Sequence, residues 1–367
     1  MTARLDPFLD PALHDVFAAR PLVVYDGGAA GSVYCPIESG PCERLRIYGF
    51  EPVKRSCDRL VEIYSGNPFV ENRQVALADR DGVVTFNEVD EGRETASSLL
   101  PRDRLGLGSR SVEVEAVRLD SVPERFGFPP ADFIKLDTEG SEALILEAGR
   151  DLLDREILGV LTEISFWRRH TGGAVFSDVD RILTRAGFVL FDLQINRSHI
   201  STIGGKKDKV RTGDALYLRD FAHLAERMTD ATVAHKRAKL LKLVCLCVAW
   251  RYLNYALELI DHGRQHGLIS SEEFSLLSET FASTTDLAGL IPDFPGRTSL
   301  AHMFDVLSSA LHRQAKKGIP PVFNGIGNAW VVPRRGERPG RVRIYYPVIG
   351  EEASSHIKVI DLGGKPT

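Results

Sequence analysis

Short apolar runs separated by amphipathic stretches set the rhythm of the first 220 residues. Pro21–Tyr25 reads as a buried strand and Asp26–Ser32 as a glycine-rich turn. Arg46–Phe50, Asn72–Leu77, Asp132–Asp137 and Leu158–Ile164 are further strand candidates. Helical periodicity lies between several of them, as at Val53–Tyr64 and Glu142–Leu153. Strands joined through helices predict an α/β fold with a largely parallel sheet covered on both faces. Gly187–Leu193 and Asp214–Leu218 read as a late antiparallel pair at one edge.

The texture changes after Asp220. Phe221–His262 is a long helical pattern, with two more near Glu272–Phe281 and Ser299–Lys317. The tail from Pro320 is rich in Gly and Pro and holds a β-type run at Val342–Val348. Two domains are expected: residues 1–220, and a mostly helical one over 221–367. Within Ala238–Ile260, the residues Leu240, Leu241, Val244, Val248, Leu253 and Leu257 make a broad apolar stripe. Lys236, Lys239, Lys242 and Arg251 supply the polar remainder. The stripe is wider than a solvent-facing helix needs. It must bury against the front domain, the later helices, or a second copy of the chain in a homodimer. A purely stabilising role predicts a front domain that binds its ligand without it.

Composition narrows the class. With 43% hydrophobic and 26% charged residues, the 367-residue chain has ordinary globular composition. The formal charge of −4 divides into −8 over residues 1–220 and +4 over the rest. An acidic front domain does not suit a nucleic-acid partner. No apolar run reaches the roughly 18 residues of a membrane span; Leu240–Trp250 is shorter and contains Lys242. Asp6, Asp10 and Asp15 do not fit a secretory signal. The five cysteines have no framework spacing. A reduced, cytoplasmic protein is expected.

The first candidate site follows the first strand. Val23–Gly31 runs from a strand into Asp-x-Gly-x-x-Gly, built from Asp26, Gly28, Ala29, Ala30 and Gly31. Glycines there let backbone approach a ligand and turn sharply. A dinucleotide fingerprint needs glycine where Asp26 stands. A carboxylate suits instead a cationic or hydrogen-bond-donating ligand, such as the amino group of a methionine moiety, and disfavours a nicotinamide oxidoreductase. About 20 residues on, Glu51 ends the second strand, where an acidic side chain accepts from ribose hydroxyls. Asp79, after Val75–Ala78, is a candidate adenine neighbour or a turn residue before Asp81-Gly82.

The second is Asp132–Glu142, reading DFIKLDTEGSE. Strand alternation puts Phe133, Lys135 and Asp137 on one face. A lysine in a buried strand needs a partner, and Asp137 is the near one along the strand. Glu139 stands at the strand's exit.

At this point the chain resembles the FkbM-type S-adenosylmethionine-dependent methyltransferases. The resemblance rests on YDGGAAGS, IYGFEP, VALADRDGVVTF, SSLL and above all FIKLDTEGSEALILEAG, in order, over residues 20–220. It implies the class I methyltransferase (Rossmann-like) fold, with seven strands and the last antiparallel. It implies S-adenosylmethionine as donor and, commonly, O-methylation of a sugar or other hydroxylated metabolite. Gly27, Ala30 and the run Ser32–Pro36 depart from the family's usual first loop.

The chemistry asks for little beyond placement and proton removal, since the donor carries an activated methyl group. An aliphatic hydroxyl is a weak nucleophile, so a base or a metal helps. Asp137 is the first candidate, Glu139 the second, with Lys135 beside them. Glu163, ending the fifth strand, completes a set of three carboxylates that would suit Mg²⁺ or Ca²⁺ rather than zinc. Trp167, Arg168 and His170 follow that strand and are candidate acceptor contacts. Ser97 and Ser98 are candidates for covering the same site. Acceptors other than hydroxyls, namely amines or carboxylates, are an alternative. A catalytically silent donor-binding module with a helical assembly surface is another. His262 with His266, and Cys245 with Cys247, lack metal-site spacing.

Overall fold

The computed structural model describes residues 21–37, 40–89, 96–101, 109–196 and 210–283, and the strands Trp330–Val331, Val342–Pro347 and Ile357–Leu362. The first strands are β1 (Leu22–Gly27) and β2 (Leu45–Phe50), followed by α1 (Lys54–Ile63) and β3 (Val70–Arg73). An insertion holds β4 (Ala76–Ala78), β5 (Gly82–Val89) and β6 (Ser109–Arg118), and α2 (Val122–Phe126) follows it. Then come β7 (Phe133–Leu136), α3 (Glu142–Glu147), α4 (Arg150–Arg155), β8 (Gly159–Ser165), α5 (Phe176–Arg185), β9 (Phe188–Asn196) and β10 (Thr212–Arg219). Four helices close the described part: α6 (Phe221–Arg227), α7 (Val233–Ala249), α8 (Leu253–Gln265) and α9 (Ser271–Ser283).

Period-two alternation divides the central strands between two cores. β1 sends Leu22 and Val24 to one and Val23 and Tyr25 to the other. β7 does the same with Phe133 against Ile134 and Leu136. Strands buried on both faces belong at the centre of a covered parallel sheet. The sheet order is β3-β2-β1-β7-β8-β10-β9. β10 runs antiparallel to both β8 and β9, while the other pairings are parallel. This is the class I methyltransferase architecture, and the order in which strands are added to the sheet reverses between β1 and β7.

One expected strand divides in two. Asn72–Leu77 does not continue: Val75 N–H donates back to Arg73 at 3.0 Å, which bends the chain out of the sheet. Ala76–Ala78 then pairs with β6 in a separate three-stranded sheet, β4-β6-β5. The expected helix Glu142–Leu153 is likewise two short helices, parted at Gly149, where a Cβ would lie 2.3 Å from Leu119.

The β1–β2 crossover, residues 28–44, holds no helix among its described residues. A parallel crossover ordinarily carries one to cover the sheet. Here Ala29, Val33 and Ile37 share a core with α7 and with the β1 and β2 side chains Leu22, Val24, Leu45 and Ile47. Every residue of α7 from Ala238 to Val248 is buried. Lys239 and Lys242 do not line a solvated face. Lys239 and Lys242 reach the buried Asp132 at the start of β7, at 2.8 and 2.6 Å. Lys239 also meets Glu156 at 2.7 Å. Burial pushes the Asp132 carboxyl up, but the two lysines outweigh it and hold the group below its ordinary range.

The compact unit containing the sheet spans Met1–Ala288, so α6 to α9 belong to it. Gly289–Thr367 is a second unit, whose described strands β11 (Trp330–Val331), β12 (Val342–Pro347) and β13 (Ile357–Leu362) form an antiparallel sheet. The helical pattern at Ser299–Lys317 lies outside the described residues. Among the described residues no helix is long and apolar enough to cross a membrane.

Candidate active site

Ligands of open α/β sheets bind at the carboxyl edge where strand order reverses. At that point β1 and β7 lie side by side, with Asp26 in register with Lys135. Gly28 then crosses over the end of β7. Its φ is +81°, and a Cβ there would sit 2.0 Å from the Asp137 carbonyl oxygen, so only glycine fits. Gly31 is also left-handed but faces open space, and Ala29 is buried in the core. A solvent-open cleft of about 650 Å³ covers these strand ends, lined by Gly28, Glu51, Lys135, Asp137, Ser97 and Ser141 among others.

Asp26 is fully buried. Its Oδ2 accepts the Tyr34 N–H at 2.6 Å, while its Oδ1 has Lys135 Nζ at 3.4 Å and no hydrogen bond. Burial raises its carboxyl above the ordinary range, with Lys135 opposing. Lys135 Nζ is 3.7 Å from Asp137, so the nearer partner is the one across the strands rather than the one along it. Glu51 is buried and accepts the Val53 N–H at 2.8 Å; burial pushes its carboxyl up to about 7. The site thus offers buried acceptors beside a glycine cradle.

The loop after β7 is held from beneath. Buried Glu142 accepts the N–H groups of Thr138 at 2.8 Å and Gly140 at 3.0 Å. Ser98 Oγ donates to the Glu139 carbonyl at 2.8 Å. Glu139 itself has φ +55°, unusual for a non-glycine residue. Asp137, with its side chain 47% exposed, is the carboxylate that the cleft reaches.

Asp137, Glu139 and Glu163 do not converge as ligands. Arg169 stands between the last two, 3.0 Å from Glu139 and 3.4 Å from Glu163. Burial, followed by the charge of Glu139, pushes Glu163 up to about 8. Among the described residues no three His, Cys, Asp or Glu side chains form a metal-binding group. The expected Mg²⁺ or Ca²⁺ set is corrected on that geometry, because a guanidinium occupies the position between its carboxylates.

The other candidates scatter. Asp79 is 46% exposed, beside Arg80, in the turn after β4 and off the main sheet. Ser97 Oγ accepts the Val89 N–H at 3.0 Å, and Ser98 Oγ also accepts from Leu100 at 3.0 Å. Both hydroxyls therefore support the backbone. His170 is buried, with Nδ1 3.3 Å from the Leu100 carbonyl and its ring against Gly140. Arg168 turns outward and donates to Gly173, while Trp167 is half-buried. Glu142 was not singled out by the sequence, and Arg169 only as one of the two adjacent arginines of the loop after β8. A wider cleft of about 830 Å³ between α1 and the β5–β6 hairpin holds charges already paired, Lys54 with Asp58 and Arg110 with Glu88.

Residues 15–190 match the methyltransferase FkbM domain model. That segment is an FkbM methyltransferase domain. The chain accordingly carries an S-adenosylmethionine-dependent methyltransferase domain, and the family's match stops within β9, ahead of β10 and all of α6 to α9. Among solved structures, it is similar to the FkbM methyltransferase of Methylobacillus flagellatus at 14% identity, over 54% of this chain and 43% of that one, with a TM-score of 0.30. It is similar to precorrin-6y C5,15-methyltransferase of Geobacter metallireducens at 12% identity, over 54% and 80%, with a TM-score of 0.30. It is also similar to a fibrillarin of Aeropyrum pernix with natively bound S-adenosyl-L-methionine, at 14% identity, over 54% and 66%, with a TM-score of 0.29. No curated protein matches the chain. The strand order, rather than these likenesses, carries the fold assignment.

Proposed function

We propose that this FkbM methyltransferase methylates a hydroxyl group of a glycan or small metabolite, with its donor seated over the ends of β1, β2 and β7. The observation that carries the reading is Asp137, a half-exposed carboxylate at the cleft, beneath the glycine cradle and beside Lys135. The donor's fit rests on Asp26 and Glu51. The Asp26 Oδ1 is buried without a hydrogen bond, an acceptor that a ligand amino group would satisfy. Glu51, at the end of β2, accepts from ribose hydroxyls. When bound, S-adenosylmethionine supplies the activated methyl group. The chain orients the acceptor, and the Asp137 carboxylate takes the hydroxyl proton as the carbon–oxygen bond forms and the carbon–sulfur bond breaks.

At the acceptor edge Asp137 and Glu139 stand against Lys135 and Arg169, and burial pushes Glu163 up to about 8. An edge with no surplus of positive charge offers a carboxylate acceptor no attraction, which favours neutral hydroxyl acceptors. The test is methyl incorporation from labelled donor into a panel of neutral sugars, hydroxylated metabolites, amines and carboxylic acids. Label in the hydroxyl compounds supports the reading. Label confined to carboxylates or amines replaces it, and none on any acceptor favours a silent donor-binding module.

Two measurements check the donor seat. Asp26→Ala and Glu51→Ala should each weaken S-adenosylmethionine binding by about 1–3 kcal/mol in calorimetry, since each strips a buried acceptor from a ligand donor. Unchanged affinity in both variants would remove them from the site. The pH profile tests Glu51 separately. Its ionised form accepts from ribose, and burial keeps it protonated below about 7. Binding therefore releases a proton, and donor affinity should rise between about pH 6 and pH 8 before levelling. Glu51→Gln should flatten that rise; an identical profile in the variant would assign the titration elsewhere.

A further inference from the structure

The loop that carries Asp137 is anchored at its two ends by different parts of the fold. At its start, the Asp137 N–H donates to the Gly27 carbonyl of β1 at 3.0 Å. Two residues on, Glu139 is left-handed, with φ +55°, a conformation that a non-glycine residue holds only where its surroundings impose it. Glu142 takes the N–H groups on either side of that residue, those of Thr138 and Gly140. Its own carbonyl is held from the opposite side, by Ser98. The Ser98 hydroxyl accepts the Leu100 N–H at 3.0 Å and gives its one proton to the Glu139 carbonyl at 2.8 Å.

Ser98 is itself firmly placed. Its backbone exchanges two hydrogen bonds with Asn87 of β5, at 2.8 and 3.1 Å. Just beyond, the Leu100 carbonyl lies 3.3 Å from His170 Nδ1, and the Pro101 carbonyl accepts the Thr171 N–H at 3.1 Å. Residues 97–101 are thus tied to the small sheet on one side and to the loop after β8 on the other. Ser97 and Leu99 line the cleft together with Asp137, whereas Ser98 between them is 2% exposed and reaches the loop through the Glu139 carbonyl. A buried hydroxyl whose single proton is committed to the loop's backbone has none to offer a methyl acceptor.

We propose that Ser98 is a positioning residue for the methyl-transfer step: through the Glu139 carbonyl it holds the loop from which Asp137 meets the acceptor. This rests on Asp137 as the group that takes the hydroxyl proton, proposed above. It also gives the β4-β6-β5 insertion a part in catalysis, because Asn87 of β5 places Ser98 over the loop.

Two measurements on the full chain test it with Ser98→Ala, which removes the hydroxyl and adds no bulk. The first needs no acceptor. Hydrogen–deuterium exchange in Ser98→Ala should rise across residues 137–141 and stay at wild-type values in β1 and β2. Unchanged exchange in the loop overturns the proposal. A rise through the central strands as well shows a general loss of structure and also overturns it. The second is single-turnover methyl transfer from pre-bound S-adenosylmethionine to the neutral sugar that takes up most label in the panel above. The rate should fall roughly 10- to 100-fold, the effect of a misplaced catalytic group, while donor affinity stays within about twofold of wild type. Added to Asp137→Asn, Ser98→Ala should slow the reaction no further, because both act on the same proton transfer. A wild-type rate in Ser98→Ala overturns the proposal. So does a fall matched by weaker donor binding, or an equal loss in the Asp137→Asn background. If Asp137→Asn alone turns over like wild type, the reading of Asp137 fails and this inference fails with it. A slow Asp137→Asn beside a fast Ser98→Ala removes Ser98 alone.

Discussion

A chain cut after Asp220 should not fold into a donor-binding domain. The cut keeps all seven strands of the sheet and the whole family match, yet it removes α7. Leu240, Leu241, Leu243, Val244, Leu246 and Val248 are each at most 2% exposed. At about 1.5–3 kcal/mol for each fully buried aliphatic side chain, their loss is on the order of 10 kcal/mol. That matches the whole stability of a typical domain, about 5–15 kcal/mol. Asp132 would also lose both of its lysines, and stranding one member of a buried charge cluster costs about 3–5 kcal/mol. The truncated protein should show no cooperative melt and no heat with S-adenosylmethionine. A cut after Ser283 keeps α7 and should retain both. If the shorter protein melts cooperatively and binds donor as tightly as the full chain, the sheet does not need its C-terminal cover.

Asp137→Asn should cut turnover by roughly 10²-fold or more, while donor affinity stays within about twofold. The amide preserves size and can still meet Lys135, but it cannot accept the hydroxyl proton. Single-turnover kinetics with pre-bound donor isolate the chemical step from binding. The large effect belongs to that step alone. A stable Asp137→Asn enzyme with wild-type turnover would remove Asp137 from the mechanism and direct attention to Glu139, the other carboxylate on the same loop.

What the sequence disclosed follows from what alternation and glycine encode. β1, β2, β7 and β8 stand out because buried parallel strands are short continuous apolar runs. The β9–β10 pair also stands out as two apolar runs, although it is antiparallel and Val189, Leu190 and Ile195 of β9 are exposed. The β5–β6 hairpin does not, since Val83 is exposed while Val84 and Phe86 are buried against a small sheet of their own. The glycine loop and Glu51 are local signals, and they lie at the cleft. Pairings set by register or tertiary placement left no local trace. Lys135 meets Asp26 because β1 and β7 align there, a fact no spacing records. Arg168 and Arg169 are equivalent in sequence, yet one faces solvent and the other divides Glu139 from Glu163. Lys239 and Lys242 read as the polar side of a helix, although they sit within an apolar stretch where lysine is rarely buried unless paired. Asp132, a charge at the start of a central strand, was the complementary clue.

The most direct measurement is an isothermal titration of the full-length protein with S-adenosylmethionine, repeated on Asp26→Ala. The account predicts one site per chain with micromolar or tighter affinity, weakened in the variant by about 1–3 kcal/mol. No detectable binding to folded wild-type protein, or identical affinity in the variant, would contradict it.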